Sequence, residues 1–316
     1  MAAFFFCATN VGSERLLKAE IARIREDARP AFARPGLDTF KVDRDLAPDF
    51  ELAATFARAW GISLGAGDAA AAARAVGATR LHAWQRDGGP APAPALRATG
   101  LFAPGDVAVA GETVLDAIFA PGEPAWLGWH VHADGHAPWP GGLVPVIVPP
   151  EAPSRAYAKV EEAIAWWGAP VRRGETAVEI GSAPGGASYA LLRRGLSVVG
   201  VDPGAMDPVV ATHPAFRHVR AAVGDVRRAD LPAEAHWLLV DVNLAPQVAL
   251  HAVRRLVPMI RARLRGAILT LKLNEDGFAA EIPAFLARVR ELGFDDARAI
   301  QLPANRSEVC VYARRG

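Results

Sequence analysis

The sequence has few cysteines, little net charge and no long apolar run, and each shortage excludes a class of protein. Its 316 residues include two cysteines, Cys7 and Cys310, which make neither a disulfide framework nor a CxxC metal-ligand pair. The net charge is +1 at pH 7, so the whole chain carries no strong electrostatic signal for nucleic acid. No stretch approaches a membrane span of about 20 apolar residues. We therefore expect a cytoplasmic protein that does not associate with membranes. The short apolar start, MAAFFFCATN, is predicted to be a first strand rather than a signal peptide.

A proline-rich segment divides the chain into two patterns. Residues 138–155, PWPGGLVPVIVPPEAPSR, carry six prolines, which is typical of a connector. Residues 1–145 mix strands and helices and predict a smaller α+β domain, with a helix expected over residues 51–60. In residues 151–316 strands alternate with helices, which predicts an α/β domain with a Rossmann-like, doubly wound, mostly parallel sheet. Residues 1–150 have a net charge of −3 and the remainder +4, so a polyanion is expected on the second half.

A glycine-rich turn opens the second domain. Residues 179–202 read EIGSAPGGASYALLRRGLSVVGVD, a predicted strand, turn, helix and strand of a nucleotide-binding unit. Ala183 stands where the GxGxxG fingerprint of dehydrogenases has its second glycine, and the lysine of a P-loop is absent. Asp202 lies 21 residues after Gly181, where a carboxylate can accept both ribose hydroxyls of an adenosine-type ligand. An open turn without phosphates to hold suits the amino-acid part of S-adenosylmethionine. The predicted turn contacts are Gly181, Ala183, Pro184, Gly185 and Gly186.

Charged residues follow several other predicted strands. Asp225, in AAVGDVRR, follows the third strand of this domain and can accept a hydrogen bond from an adenine amino group. Lys272 ends the apolar run ILTLK, which is unusual because lysine is rarely buried without a partner. The turn at Asp241, DVNL, lacks the Asn/Asp-Pro-Pro-aromatic pattern of amino-directed nucleic-acid methyltransferases. Neither cysteine follows a central strand near the glycine turn, so thiolate-dependent methylation of pyrimidine carbon 5 is excluded.

These segments together resemble the FtsJ-like family of RNA ribose 2′-O-methyltransferases, which is marked by a Lys-Asp-Lys-Glu tetrad. The matching segments are SRAYAKVEE, EIGSAPGGASYALL, VGD and LTLKLNEDGF. Within the family the chain resembles the RlmM type, which methylates a cytidine ribose of large-subunit ribosomal RNA and carries an RNA-binding N-terminal region of THUMP type. The resemblance implies a catalytic tetrad of Lys159, Asp241, Lys272 and Glu308.

The resemblance also implies the cofactor, RNA as the partner and a separate role for each domain. S-adenosylmethionine would be held by the turn residues, Asp202, Asp225, Asp241 and Ser154. Residues 1–145 would be a THUMP-like domain that binds RNA or positions the substrate, and 151–316 the methyltransferase domain of a monomeric enzyme. Lys272 would act as the general base. We expect burial and the neighbouring cation Lys159 to lower its pKa, and Asp241 to oppose that shift.

Three alternatives remain open from the sequence. The same chemistry could act on transfer RNA, since THUMP-like regions serve that substrate in other families. The domain could instead be a non-catalytic cofactor-binding module for RNA assembly, although such a module has no chemical need for Lys272. Finally, His130, His132 and His136 have a spacing that could bind a metal, but no fourth ligand is evident nearby, so we expect no metal.

Overall fold

The chain folds into two compact units, Met1–Pro145 and Val146–Gly316. The structure is a computed structural model, and it describes residues 3–88, 91, 93–275 and 277–316. No helix in these ranges is both long enough and apolar enough to cross a bilayer.

The first unit is built on a seven-stranded sheet of order β2-β3-β1-β4-β7-β6-β5. All neighbouring strands are antiparallel except β5 and β6, which are parallel. The unit is therefore α+β. Its elements are β1 (Ala3–Ala8), α1 (Glu14–Ile24), β2 (Ala28–Arg34), β3 (Leu37–Val42), β4 (Ala59–Ala66), α2 (Ala69–Val76), β5 (Arg80–Gln85), α3 (Pro94–Arg97), β6 (Thr113–Phe119) and β7 (Trp126–Val131).

The helix predicted over residues 51–60 is wrong. Residues 51–58 are irregular, and β4 begins at Ala59. The amides of Thr55 and Phe56 donate to the buried carboxylate of Glu20, over 2.8 and 2.9 Å. A side chain from α1 thus satisfies backbone donors that a helix would otherwise pair.

The second unit has a seven-stranded sheet of order β10-β9-β8-β11-β12-β14-β13. Neighbouring strands in this sheet are parallel, except that β14 runs antiparallel to both β12 and β13. The prediction of a Rossmann-like, mostly parallel sheet is confirmed. Its elements are α4 (Ala156–Trp167), β8 (Thr176–Ile180), α5 (Gly186–Arg193), β9 (Ser197–Val201), α6 (Pro208–Ala211), β10 (Phe216–Val219), β11 (Trp237–Val240), α7 (Pro246–Ile260), β12 (Gly266–Lys272), α8 (Phe278–Glu291), β13 (Asp296–Ile300) and β14 (Glu308–Arg314).

The order of strands places the charged residues at one edge of this sheet. All four residues of β11, Trp237–Val240, are buried, as expected of a central strand covered on both faces. The parallel strands β8, β11 and β12 therefore end side by side. Because β14 is antiparallel, it begins at that same edge, where Glu308 pairs in register with Lys272.

Candidate active site

The glycine turn joins β8 to α5 through a close backbone contact. Gly181 has a φ of +82°, and a Cβ there would run into the carbonyl oxygen of Asp241. At Gly186, the first residue of α5, a Cβ would run into Ser154. These two positions thus require glycine. The turn between them includes a cis peptide bond before Pro184.

Asp202 supports the turn from the end of β9. Its carboxylate accepts the amide of Ala183 over 3.2 Å and the amide of Gly204 over 2.6 Å. Each oxygen takes one backbone bond and keeps acceptor capacity for a further donor. Asp225 lies in the turn Val223–Asp225 after β10 and is exposed.

An open cleft of about 520 Å³ lies above the turn. Five predicted cofactor contacts line it: Ser154, Gly181, Ala183, Gly186 and Asp241. Lys159 lines the same cleft, so two of the tetrad residues, Lys159 and Asp241, share one space with the turn. Pro184, Gly185, Asp202 and Asp225 lie outside its lining. At Gly185 a Cβ would instead meet Val210 and Met206.

The four tetrad residues form a closed ring of alternating charge. The Nζ of Lys159 lies 3.0 Å from Asp241 and 2.6 Å from Glu308. The Nζ of Lys272 lies 3.1 Å from Asp241 and forms a second, short ion pair with Glu308. The side chains are between 8% and 21% exposed, so the ring is mostly shielded from water, and Lys159 and Asp241 connect it to the cleft.

The ring holds Lys272 in its charged form, contrary to the expected lowering of its pKa. Burial by itself would lower the pKa of Lys272, but the hydrogen bond to Glu308 and the charges of Asp241 and Glu308 outweigh burial and raise it. Burial likewise opposes the charge of Glu308, and its two lysine partners hold the pKa of that carboxyl below its usual range. The sequence suggested one carboxylate beside Lys272, whereas the fold supplies two.

Two residues outside the predicted set support the site. Glu179, the penultimate residue of β8, is buried, and the hydroxyl of Ser188 donates to it over 2.5 Å. Burial raises the pKa of Glu179 to about 8, and the charges of Asp241 and Asp202 add to that shift. Its sequence signal is an acid inside the apolar run TAVEI.

Arg255, on α7, fixes the turn that carries Asp225. Its guanidinium donates to the carbonyl of Val226 over 2.9 Å and makes a second, short bond to the carbonyl of Val223. No local pattern in the sequence indicates this role, because the two partners lie 29 and 32 residues away.

Residues 152–274 match a family model described as FtsJ-like methyltransferase. The chain is 36% identical over 181 residues to "Ribosomal RNA large subunit methyltransferase M" of Halorhodospira halophila, which covers 56% of this chain and 51% of that protein. It is 32% identical over 212 residues to the protein of the same name from Pseudomonas syringae pv. syringae, covering 62% and 57%. The chain thus spans about half the length of these curated relatives.

Similarity to solved structures is low. The crystal structure of TrmN from Thermus thermophilus aligns along 99% of both chains, at 17% identity and a TM-score of 0.39. A similarity of that size does not bear on function.

Proposed function

We propose that this chain is an S-adenosylmethionine-dependent RNA ribose 2′-O-methyltransferase, because residues 152–274 match the FtsJ-like methyltransferase family model. The observation that carries the proposal is the ring of two lysines and two carboxylates beside the glycine turn. Four residues far apart in sequence meet in this ring, and two of them, Lys159 and Asp241, also line the cleft above the glycine turn.

The residues around the cleft suit S-adenosylmethionine. The glycine turn presents backbone where the amino-acid part would bind, and Asp202 keeps acceptor capacity for ribose hydroxyls. Asp225, exposed and fixed through Arg255, would accept from the adenine amino group. When bound, the cofactor supplies an activated methyl group. No other group is needed for the transfer that we propose.

The chain's own residues would orient the hydroxyl and take its proton. Asp241 and Glu308 hold the Nζ of Lys272, and Lys159 holds the same two carboxylates from the other side. A ribose hydroxyl held within about 3–3.5 Å of the methyl carbon is aligned for in-line attack. The new C–O bond would form as the bond between the methyl carbon and sulfur breaks, with its electron pair left on sulfur, and the hydroxyl proton would pass to the neutral Nζ of Lys272. Lys272 must be neutral for that step, so only the deprotonated fraction of the enzyme is active.

The substrate that we propose is large-subunit ribosomal RNA, with cytidine ribose as the acceptor. The names of the relatives support the RNA class, since two at 36% and 32% identity are large-subunit ribosomal RNA methyltransferases. Cytidine and the RNA-binding role of residues 1–145 follow from the family resemblance. We propose a monomer in the reducing cytoplasm, in keeping with two buried free cysteines.

The test is methyl transfer from labelled S-adenosylmethionine to total RNA of a strain lacking this gene. Alkaline hydrolysis leaves a labelled dinucleotide if the methyl group is on a ribose 2′-oxygen. We expect that product in ribosomal RNA, and label in transfer RNA would favour the alternative substrate.

Lys272→Ala should abolish turnover with cofactor affinity nearly unchanged, and Arg288→Ala, an exposed position on α8, should retain both. Wild-type turnover in Lys272→Ala would refute the base assignment. Cofactor binding without transfer to naked RNA or ribosomal particles would favour a non-catalytic module.

A further inference from the structure

A cluster of buried histidines lies in the first unit, and the function proposed above does not use it. His82, His130 and His132 are 1%, 3% and 7% exposed, and His136 is half-buried. Neutral imidazole is costly to bury without partners, so a group of four rings in one place requires an explanation.

The strand register brings most of the cluster to one face of the sheet. His82 on β5 pairs with Asp116 on β6, and Asp116 pairs with Gly128 on β7. His130 follows Gly128 by two residues, so its side chain points to the same face. His132 continues this alternation beyond the end of β7, and His136 returns from the turn that follows.

Three of these rings offer nitrogens to a common point. One nitrogen from each of His130, His132 and His136 lies within 4.8 Å of the other two. A shift of less than about 1 Å each would bring them to the Zn–N distance of about 2.0–2.1 Å. Among the described residues, Nε2 of His130 and Nδ1 of His132 are buried and have no hydrogen-bond partner.

Asp116 orients the first of these rings. It is fully buried, and its carboxylate lies 2.7 Å from Nδ1 of His130. A proton on Nδ1 leaves the lone pair on Nε2, the nitrogen that faces the cluster. A carboxylate that accepts from the far nitrogen of a histidine is the usual support for a metal ligand.

His136 also has an unpartnered nitrogen. Within the ranges that the structure describes, its Nε2 is buried and has no hydrogen-bond partner, while its Nδ1 accepts the amide of Ala133 over 3.3 Å. The ring is stacked between Trp60 and His130, with centroid distances of 4.6 and 4.5 Å, which holds it at the cluster.

We propose that His130, His132 and His136 bind one zinc ion, with Asp116 as the positioning residue. Three imidazoles suit zinc among the common divalent metals. The fourth position would be taken by water or by His82, whose Nε2 is also buried and without a partner in the described chain. The ion would tie the turn after β7 to the sheet. The sequence alone indicates no fourth ligand nearby, whereas the fold places the ring of His82, on β5, with its centroid 5.9 Å from that of His130.

The test uses the full chain without an affinity tag, stripped of metal with a chelator. Zinc is titrated in competition with a chromophoric chelator, and Co²⁺ is added separately to record its visible spectrum. We expect one zinc per chain and the absorption of tetrahedral Co²⁺. His136→Ala should weaken zinc binding more than 100-fold, and Asp116→Asn about 10–100-fold. His251→Ala, at an exposed position on α7, is the matched control and should bind as the wild type.

His136 is the least buried of the three ligands, so its variant is the one most able to fold. Metal-free His136→Ala should still unfold cooperatively, at a somewhat lower temperature than metal-free wild type because the stacked ring is lost, and only the wild type should gain stability from zinc. Less than a tenth of an equivalent of zinc on folded wild-type protein would overturn the proposal. Equal zinc affinity in wild type and His136→Ala would also overturn it. Loss of methyl transfer alone would concern the proposed function and not this site.

Discussion

At the scale of single residues, the protonation of Lys272 decides how the candidate site can work. Two carboxylates lie against its Nζ, and their effect outweighs burial, so its pKa is raised. An ammonium group cannot accept a proton. If Lys272 is the base, the reaction therefore has to be limited at neutral pH by the small fraction of neutral amine.

The first prediction concerns the pH dependence of kcat. Below the pKa of Lys272, kcat should rise about tenfold per pH unit, without levelling off below the ordinary lysine value of about 10.4. Glu308→Gln removes a negative charge that raises this pKa, so the rise should level off at a lower pH. Glu291→Gln, an exposed acid on α8, should keep the wild-type profile. A flat profile between pH 6.5 and 9 would rule out Lys272 as the base.

The second prediction concerns Glu179 and the stability of the second unit. Its pKa is about 8 in the folded chain against 4.5 ordinarily, so folding favours the protonated form. The stabilisation that Glu179 contributes is complete below about pH 4.5, its pKa in the unfolded chain, and is lost as the pH rises through about 8. The free energy of unfolding should fall by up to about 1.4 kcal/mol per pH unit across that window.

Glu179→Gln keeps the shape of the protonated side chain and cannot ionise. Its unfolding free energy, measured by denaturant titration from pH 5 to 9, should lack the slope seen in the wild type. Glu291→Gln is again the control and should retain the slope. Equal pH dependence in wild type and Glu179→Gln would mean that Glu179 titrates normally in the folded chain.

At the scale of elements, the candidate site depends on contacts between helices and turns that lie far apart in the sequence. The turn Val223–Asp225 has no packed core of its own, and Arg255 on α7 holds it through two carbonyl groups. The position of Asp225 therefore depends on a helix that begins 21 residues later, at Pro246.

The third prediction tests this dependence. Arg255→Ala removes both bonds, so we expect the dissociation constant for S-adenosylmethionine to rise about tenfold, the equivalent of one hydrogen bond of about 1.4 kcal/mol. Because the tetrad is untouched, kcat at saturating cofactor should change little. Arg288→Ala should leave both values unchanged. A fall in kcat with no change in cofactor affinity would argue against a positioning role for Arg255.

Elements with a strong local pattern were predictable from the sequence. The strand Thr176–Ile180, the helix Gly186–Arg193 and the strand Ser197–Val201 follow one another around the glycine turn in the predicted order, because apolar runs and glycine boundaries are local signals. Residues 51–60 have no such signal. The amides of Thr55 and Phe56 donate to the carboxylate of Glu20. Because Glu20 lies 35 residues away from Thr55, no local pattern shows this contact, and the helix prediction failed there.

At the scale of the whole molecule, the two halves of the chain differ in the sign of their charge. Residues 1–150 carry −3 and the remainder +4. Two exposed arginines, Arg155 and Arg306, flank the tetrad in the second unit, and Arg155 lines the cleft. RNA phosphates are therefore expected to bind around the candidate site.

The fourth prediction follows from this distribution. Replacing Arg155 and Arg306 together by alanine should weaken RNA binding and reduce the slope of log K against log salt by about 0.7 for each lost phosphate contact. The matched pair Arg29→Ala and Arg44→Ala, exposed arginines of the first unit, should change both quantities less. The measurement is equilibrium binding of an RNA fragment across a salt series. A larger effect of the first-unit pair would assign RNA binding to residues 1–145.

The sequence by itself determined the α/β pattern of the second unit and the glycine turn, because both are local signals of spacing and residue type. The choice of the four tetrad residues rested on the resemblance to a known family. The charge state of Lys272, the support of Asp225 and the histidine cluster were decided only by the tertiary structure. Lys159 and Asp241 are 82 residues apart, and Lys272 and Glu308 are 36 apart. Electrostatic and hydrogen-bond effects act over a few ångströms, so they depend on contacts that only the folded chain creates.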